Sequence, residues 1–546
     1  MDYESERRKN IEENERLLKE LGIDQGGSSF LGTSAPKRPT AHAERARRKR
    51  SLTEDLSKQA LPQRSSARLK GIKLDTENEI SQAVSSNSGS PKDSSHTVRH
   101  GDLSLEELAA DTLDEDEKRK LKESLNIKFE DDVTLQTPKT ELENLLRTMR
   151  LRSYTRVAQK RIYSMIYHPT LEKDLVFTGD QAGNLGVWDA TAEPEESQSQ
   201  EGDILTGNAF SLQMHGAAIG CLRMDPISPE RVYTSSYDST LRVFSLSKHI
   251  SMEVWRAPST VQLGEFDILC SSSSASEMET PGSCHLDGRS LWLADHMGGL
   301  IHIDVRSASS EYHRWQVSDK KVGGLSVNPS VPHCIATASN DRSVRLFDTR
   351  MFGRSREVSI PMNRLSDDDF EELNTLYASS QLGSMKREMA CTSTIWVRAS
   401  YSCTASVCYD DTVSVWDLHD KTLCRMSQPA VKEGPPSNTL DHWLKTKSRP
   451  QESLGETHTF HHNNQTGKWV TLFRACWNRN PSLEPHFSMG SMSRHTEIYG
   501  KDGRCMVRLY DPDWITAVPA VTAMHPILPA RIATGNGSGR CAFWST

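Results

Sequence analysis

The 11 cysteines include no CxxC pair, which removes the ligand spacing of a zinc ribbon and of a thioredoxin-type redox site. No apolar run approaches the roughly 18 residues of a membrane span, and the charged opening MDYESERRKN has no signal-peptide apolar core. A soluble, intracellular protein is expected. Neither sign of charge dominates, since a net charge of -7 over 546 residues supports no whole-chain argument for nucleic acid. There is no phosphate loop, nucleophile elbow or metal quartet, so no residue set proposes catalysis, a cofactor or a small-molecule substrate. His458, His461 and His462 are the one dense histidine group, and they have no Cys or carboxylate partners at metal spacing. No metal is expected there.

What is present is a repeat. The stretch Asp174 to Asp189, DLVFTGDQAGNLGVWD, joins an apolar run, a turn and a short run ending in an aromatic beside Asp. It reads as two antiparallel strands with a tight turn, the inner half of a propeller blade. The plan returns with its terminal aromatic or apolar residue at Trp188, Phe244, Ile303, Phe347, Trp416, Tyr499 and Trp544. The shortest intervals, 44 and 45 residues, match a WD blade, and the longer ones imply insertions. Seven units close a ring without an open edge, which predicts an all-β, seven-bladed WD-repeat β-propeller over 153–546. The runs IYSMIYHP, IGCLRMDP, VGGLSVNP and VPAVTAMHP are the strands ahead of the hairpins, each ending where Pro leaves the sheet. Asp238, Asp341 and Asp411 are read as turn braces.

Two places fit less well. TSTIWVRASYSCTASVC in blade 5 reads as a shortened or rearranged hairpin, and Met351 to Lys386 reads as an insertion outside the repeat. The chain ends two residues after Trp544, so an upstream segment must supply the last outer strand, with Ile127 to Leu135 the nearest donor.

Ahead of the propeller, the extension is expected to be partly helical and partly disordered. Residues 1–25 hold a charged helix with a narrow apolar stripe, either solvated or a docking helix. Residues 26–101 form a disordered arm. Within it, Lys37 to Lys73 carries 12 Lys/Arg against 3 Asp/Glu, too few apolar groups to offset ordering. Arg45, Arg47, Arg48, Lys49 and Arg50 suit nuclear import, and a nuclear location is expected. Residues 102–152 form a helical lead-in with the possible closing strand. Ser104 with Glu107 and Thr140 with Glu143 are capping boxes, and Leu142, Leu145, Leu146 and Met149 make an apolar helix face.

The opening NIEEN and LLKELGI, the basic QRSSARLKGI, the first blade RIYSMIYHP with DLVFTGDQAGNLGVWD, and HNNQTGKWVT together resemble the WD-repeat DNA damage-binding family. That family includes the small subunit of the UV-damaged-DNA-binding complex and the branch of the changed-mutation-rate protein and WD-repeat protein 76. The resemblance implies a nuclear, non-enzymatic protein that binds duplex DNA, with a preference for damaged or distorted sites. It also implies an alternative, a substrate receptor of a cullin-4-type ubiquitin ligase or a scaffold for chromatin proteins.

In a propeller, the loops entering the innermost strands and the turns within the blades share one rim. Those positions hold Lys160, Arg161, Lys320, Lys321, Arg342, Lys468 and Arg494, cations that would track phosphates with little sequence preference unless they are ordinary surface residues. The family inserts a hairpin at a lesion, and the matching loop here is His461 to Trp469. Its His461, Asn463, Asn464 and Gln465 join the candidate DNA contacts, although HNNQTG carries no aromatic wedge and also reads as a polar turn. Asp304 with Arg306 and Asp348 with Arg350 resemble the DxR boxes that dock receptors to the ligase adaptor, or else cap their blade edges.

Overall fold

The computed structural model describes residue 99 and residues 101–109, 112–127, 139–192, 204–259, 261–270, 287–305, 313–329, 331–352, 381–396, 403–417, 452–453 and 458–546. The chain divides into two units, 1–84 and 85–546, and every described residue belongs to the second. The helix, basic arm and import cluster read in residues 1–98, together with Arg306, lie outside the described residues.

The second unit is a seven-bladed propeller of seven sheets, each built on an antiparallel ladder, with Glu452–Ser453 added in parallel at the edge of blade 4. Their innermost strands are Ile162–Tyr167, Ile219–Met224, Leu263–Cys270, Val322–Val327, Cys391–Trp396, Cys476–Trp477 and Pro519–Met524. Each is followed outward by the next strands of its blade. The hairpin Leu175–Asp180 and Asn184–Asp189 therefore forms the middle of blade 1, between Ile162–Tyr167 and the outer strand Asn208–Gln213, not its inner half. All seven repeat markers fall in third strands and are buried, Trp188 and Trp416 completely. Strands this apolar on both faces suit sheets packed against neighbours on each side.

Polar contacts stitch neighbouring blades around the ring. The Ser164 hydroxyl donates to the Ile219 carbonyl at 3.2 Å, Ser235 to Gly264 at 2.6 Å, and the Ser326 hydroxyl to Asp267 at 3.2 Å. The Trp396 amide then donates to Ser326, the Trp477 indole to the Ile395 carbonyl at 3.1 Å, and Ser488 to Thr522 at 3.0 Å. Arg531 closes the circle on Asp174 at 2.7 Å. Burying hydroxyls costs little when each finds such a partner.

The closing strand is Arg150–Arg156, paired with Arg540–Ser545 through Leu151 opposite Trp544. It replaces the expected donor at Ile127 to Leu135, because it leads directly from the preceding helix into blade 1 with alternating residues buried. Blade 5 is likewise regular: Cys391–Trp396, Cys403–Cys408 and Thr412–Asp417 form an ordinary ladder, and His458–His461 adds the outer strand. Among the described residues, the first two strands pair over their full length and are not shortened. The end of the expected insertion, Gln381–Lys386, is the outer strand of blade 4.

Three helices precede the ring among the described residues: α1 (Leu105–Ala109), α2 (Glu115–Leu125) and α3 (Lys139–Thr148). Ser104 and Glu107 cap α1 reciprocally, as read from the sequence. Thr140 is not an N-cap, since α3 already begins at Lys139; the second box is Asp114 with Glu117 on α2. Leu142, Leu146 and Met149 pack with Ile498, Leu509 and Trp544. Leu103–Ser104 joins blade 2 as a fifth strand, held by the buried Arg242, which donates to the carbonyls of Gly101 at 3.0 Å and Arg99 at 2.9 Å.

Candidate nucleic-acid interface

Because neighbouring strands alternate in direction, the entries to the innermost strands and the turns between second and third strands emerge on one face. The turns share a register. Their fourth position is left-handed in all seven blades: Gly183, Ser239, Gly298, Arg342, Asp411, Arg494 and Gly539. Glycine accepts that backbone freely, whereas an L side chain there costs about 1–2 kcal/mol. Arg342 (φ 74°) and Arg494 (φ 68°) are exposed cations held at such positions.

The register also reassigns one brace. Asp238 accepts from the Gly216 and Thr240 amides and from His215, and Asp341 accepts from the Ser343 amide. Burial would raise the Asp238 carboxyl, but the His215 hydrogen bond and its companions outweigh it and hold the group well below the usual carboxylate range. In blade 5 the brace is Asp410, which accepts from the Thr412 amide at 3.2 Å. Asp411, one residue later, is freed for a different task.

That task is to hold the segment between blades 5 and 6. The Asp411 carboxylate accepts from the Asn464 amide at 2.8 Å, and its carbonyl accepts from the His462 amide at 2.9 Å. The Asn464 side chain donates to the carbonyls of Cys408 and Thr412, and the Gln465 side chain to that of Tyr409. Asn464 is only 4% exposed. It is an anchor of the loop and is not available to DNA, because burial and three partners occupy its amide. Gln465 is half-buried and serves as a second anchor. His461 and Asn463 are exposed, His461 at the end of the blade 5 outer strand.

From these anchors the chain crosses the channel mouth. Arg161 donates to the Lys468 carbonyl at 2.7 Å, the Thr471 hydroxyl donates to the Ile162 carbonyl at 2.6 Å, and the Trp469 carbonyl lies against Gly537 of the blade 7 turn. The loop thus touches blades 5, 7 and 1. At its apex Trp469 is 76% exposed, with the Lys468 ammonium 5.6 Å from its ring centroid. In the sequence, Trp469 closes the expected loop His461 to Trp469. The segment after it forms no ladder until Cys476, and that irregularity leaves the indole outside.

The remaining rim cations lie on the same face. Lys160 is exposed, and Arg161, Lys320 and Lys321 are partly buried. Arg161 and Lys321 sit over the rings of Tyr163 and Tyr237, Lys321 also donating to the Tyr237 hydroxyl at 3.0 Å. With Lys321 beside it, the Tyr237 phenol is held below its ordinary value despite burial. Exposed Asp319 is adjacent and partly offsets this group. Among the described residues, no cluster of His, Cys, Asp and Glu could hold a metal ion.

The DxR positions point elsewhere. Asp304 and Asp348 end third strands, on the opposite face. Arg350 folds back on Asp348 with two nitrogens, at 2.7 and 3.0 Å.

No family model matches the chain. It is 38% identical to the DNA damage-binding protein CMR1 of Mycosarcoma maydis, in an alignment covering all of this chain and 99% of that protein. This chain belongs to the DNA damage-binding protein CMR1 family. The CMR1 protein of Cryptococcus neoformans is 28% identical and that of Emericella nidulans 27%, each aligned over the whole of this chain and 98% of the relative. Membership in the CMR1 family agrees with the resemblance carried by the first blade and HNNQTGKWVT.

Proposed function

We propose that this protein binds duplex DNA on the cationic rim and prefers damaged or distorted sites. The observation that carries the reading is Trp469, an indole held out at the channel mouth beside Lys468 and inside an arc of rim cations. The cations supply a sequence-independent hold on phosphates, whose strength falls as salt rises. An apolar wedge costs a few kcal/mol for each base step that it unstacks, and least where the step is already distorted. A rim of this kind selects damage without reading sequence, and it needs no catalytic group. The names of the CMR1 relatives support this reading, and the basic cluster at 45–50 supports a nuclear location.

Titration of the purified protein against intact and lesion-bearing duplexes over a salt series tests it. Tighter, salt-sensitive binding to the lesion duplex is expected. Absence of binding to both at low salt overturns the reading, and equal affinity removes the damage preference.

A second role is compatible with the first. The Asp348–Arg350 pair lies on the face opposite the rim, so an adaptor of a cullin-4-type ligase docked there would leave the DNA site open. Arg350→Ala should then lose the adaptor in a pull-down and keep DNA binding; a wild type that recruits no adaptor refutes this role.

A further inference from the structure

Arg474 reaches beyond the blades that neighbour blade 6. It precedes the short innermost strand Cys476–Trp477, yet its guanidinium donates to the Gly220 carbonyl at 3.4 Å and pairs with Glu265. Gly220 lies on the innermost strand of blade 2 and Glu265 on that of blade 3. In a ring of seven, those two blades stand across the channel from blade 6. The side chain is therefore a strut across the channel.

Neutralising Glu265 does not explain the strut. Glu265 is 7% exposed, and it already receives Arg223 at 3.3 Å, an arginine that also approaches Asp267 at 3.5 Å. The cluster holds two guanidiniums against two carboxylates, and Glu265 keeps one cation when Arg474 is removed. What is lost is a tether. Residues 470–475 have no strand ladder to fix their backbone, so side chains replace it: Thr471 on blade 1, buried Phe473 in the core, and Arg474 on blades 2 and 3. On the other side of the apex, Asn464 and Gln465 clamp the chain to blade 5. Gly467, Lys468 and Trp469 project between two fixed ends.

We propose that Arg474, through its bridge to Glu265, is a positioning residue that holds Trp469 rigidly enough to discriminate distorted from intact duplex. The proposal rests on the damaged-DNA reading of the rim. A wedge distinguishes the two duplexes only if it cannot relax away from a well-stacked step, whereas a loose one yields equally to both. Preorganisation of this kind depends on the groups behind the contact.

The test uses the full chain and two readouts: amide hydrogen exchange of residues 466–470 without DNA, and the ratio of lesion to intact affinity. Arg474→Gln should speed exchange by about tenfold or more. It should lower the affinity ratio at least about fivefold, with intact-duplex affinity changed less than about twofold, because the rim cations that supply the salt-dependent term are untouched. Arg474→Lys, which keeps the charge, should stay within about twofold of wild type in both. If Arg474→Gln does not fold, Glu265→Gln removes the same bridge and carries the same expectations. Unchanged exchange overturns the proposal, as does an equal loss of affinity for both duplexes, which would mark a merely structural role. A wild type with no lesion preference overturns the damage reading and the discriminating role with it, and the exchange data then decide separately whether the strut fixes the loop.

Discussion

Blade 1 and the segment from His462 to Trp477, which links blade 5 to the innermost strand of blade 6, are built in opposite ways. In blade 1, regular ladders satisfy the backbone, Trp188 is fully buried with its indole donating to Thr206 at 3.0 Å, and the tight turn carries the unstrained Gly183. In the other segment the ladder is reduced to two residues, side chains reach blades 5, 1, 2 and 3, and a tryptophan stands in solvent. The repeat supplies rigidity, and departure from the repeat supplies a site. Positions that follow the repeat should matter for stability, and positions that break it should matter for binding.

The largest expected effect breaks the repeat side of that contrast. Trp188→Ala removes a large buried side chain and should cost about 3–5 kcal/mol, seen as a lower urea midpoint. A loss under about 1 kcal/mol would remove Trp188 from the scaffold. Next is acid. Burial holds His168 and His525 down to about 4, against about 6.5 in an unfolded chain. Between those values the unfolded state binds more protons, so their contribution is whole above pH 6.5 and is lost as pH falls toward 4. Each would give up at most about 3 kcal/mol. These imidazoles bond the Pro229 and Thr170 carbonyls across blade boundaries. Thermal melts should drop through that window, and His525→Gln should flatten the drop; an unchanged slope would exclude His525.

On the irregular side, Lys468→Glu should weaken binding to either duplex about tenfold and lower the salt slope by about 1. Lys248→Glu, on the opposite face, should leave both unchanged. Equal losses from the two would move the interface off the rim. The smallest effect is the sharpest for the contrast. Arg342→Gly relieves a left-handed arginine and, with glycine's greater chain entropy offsetting part of the relief, should stabilise the fold by up to about 1 kcal/mol while weakening DNA binding; stability and binding moving down together would mean that Arg342 is scaffold.

The blades were legible because their signals are local: Trp188, Phe244 and Trp416 each mark a strand of short range and fixed period. The closing strand was not, since Arg150–Arg156 is recognisable only beside Arg540–Ser545, a pairing nearly 400 residues apart in sequence. Blade 5 differs from its reading for another reason: its innermost strand, Cys391–Trp396, lacks the closing Pro that marks the corresponding strands of blades 1, 2, 4 and 7. At the site, the rim cations followed from topology. Asn464 could not be recognised as an anchor, because a polar residue in a polar turn looks the same whether it faces DNA or the Cys408 carbonyl.

The sequence by itself determined the number of blades, the buried aromatics that mark them and the face on which the cations lie, because each depends on short-range alternation and turn chemistry. The tertiary structure alone decided that Trp469 stands exposed, that Asp410 and not Asp411 braces its turn, and that Arg474 crosses the channel to Glu265. Those outcomes depend on which distant strands meet around the ring, and spacing along the chain carries no record of that.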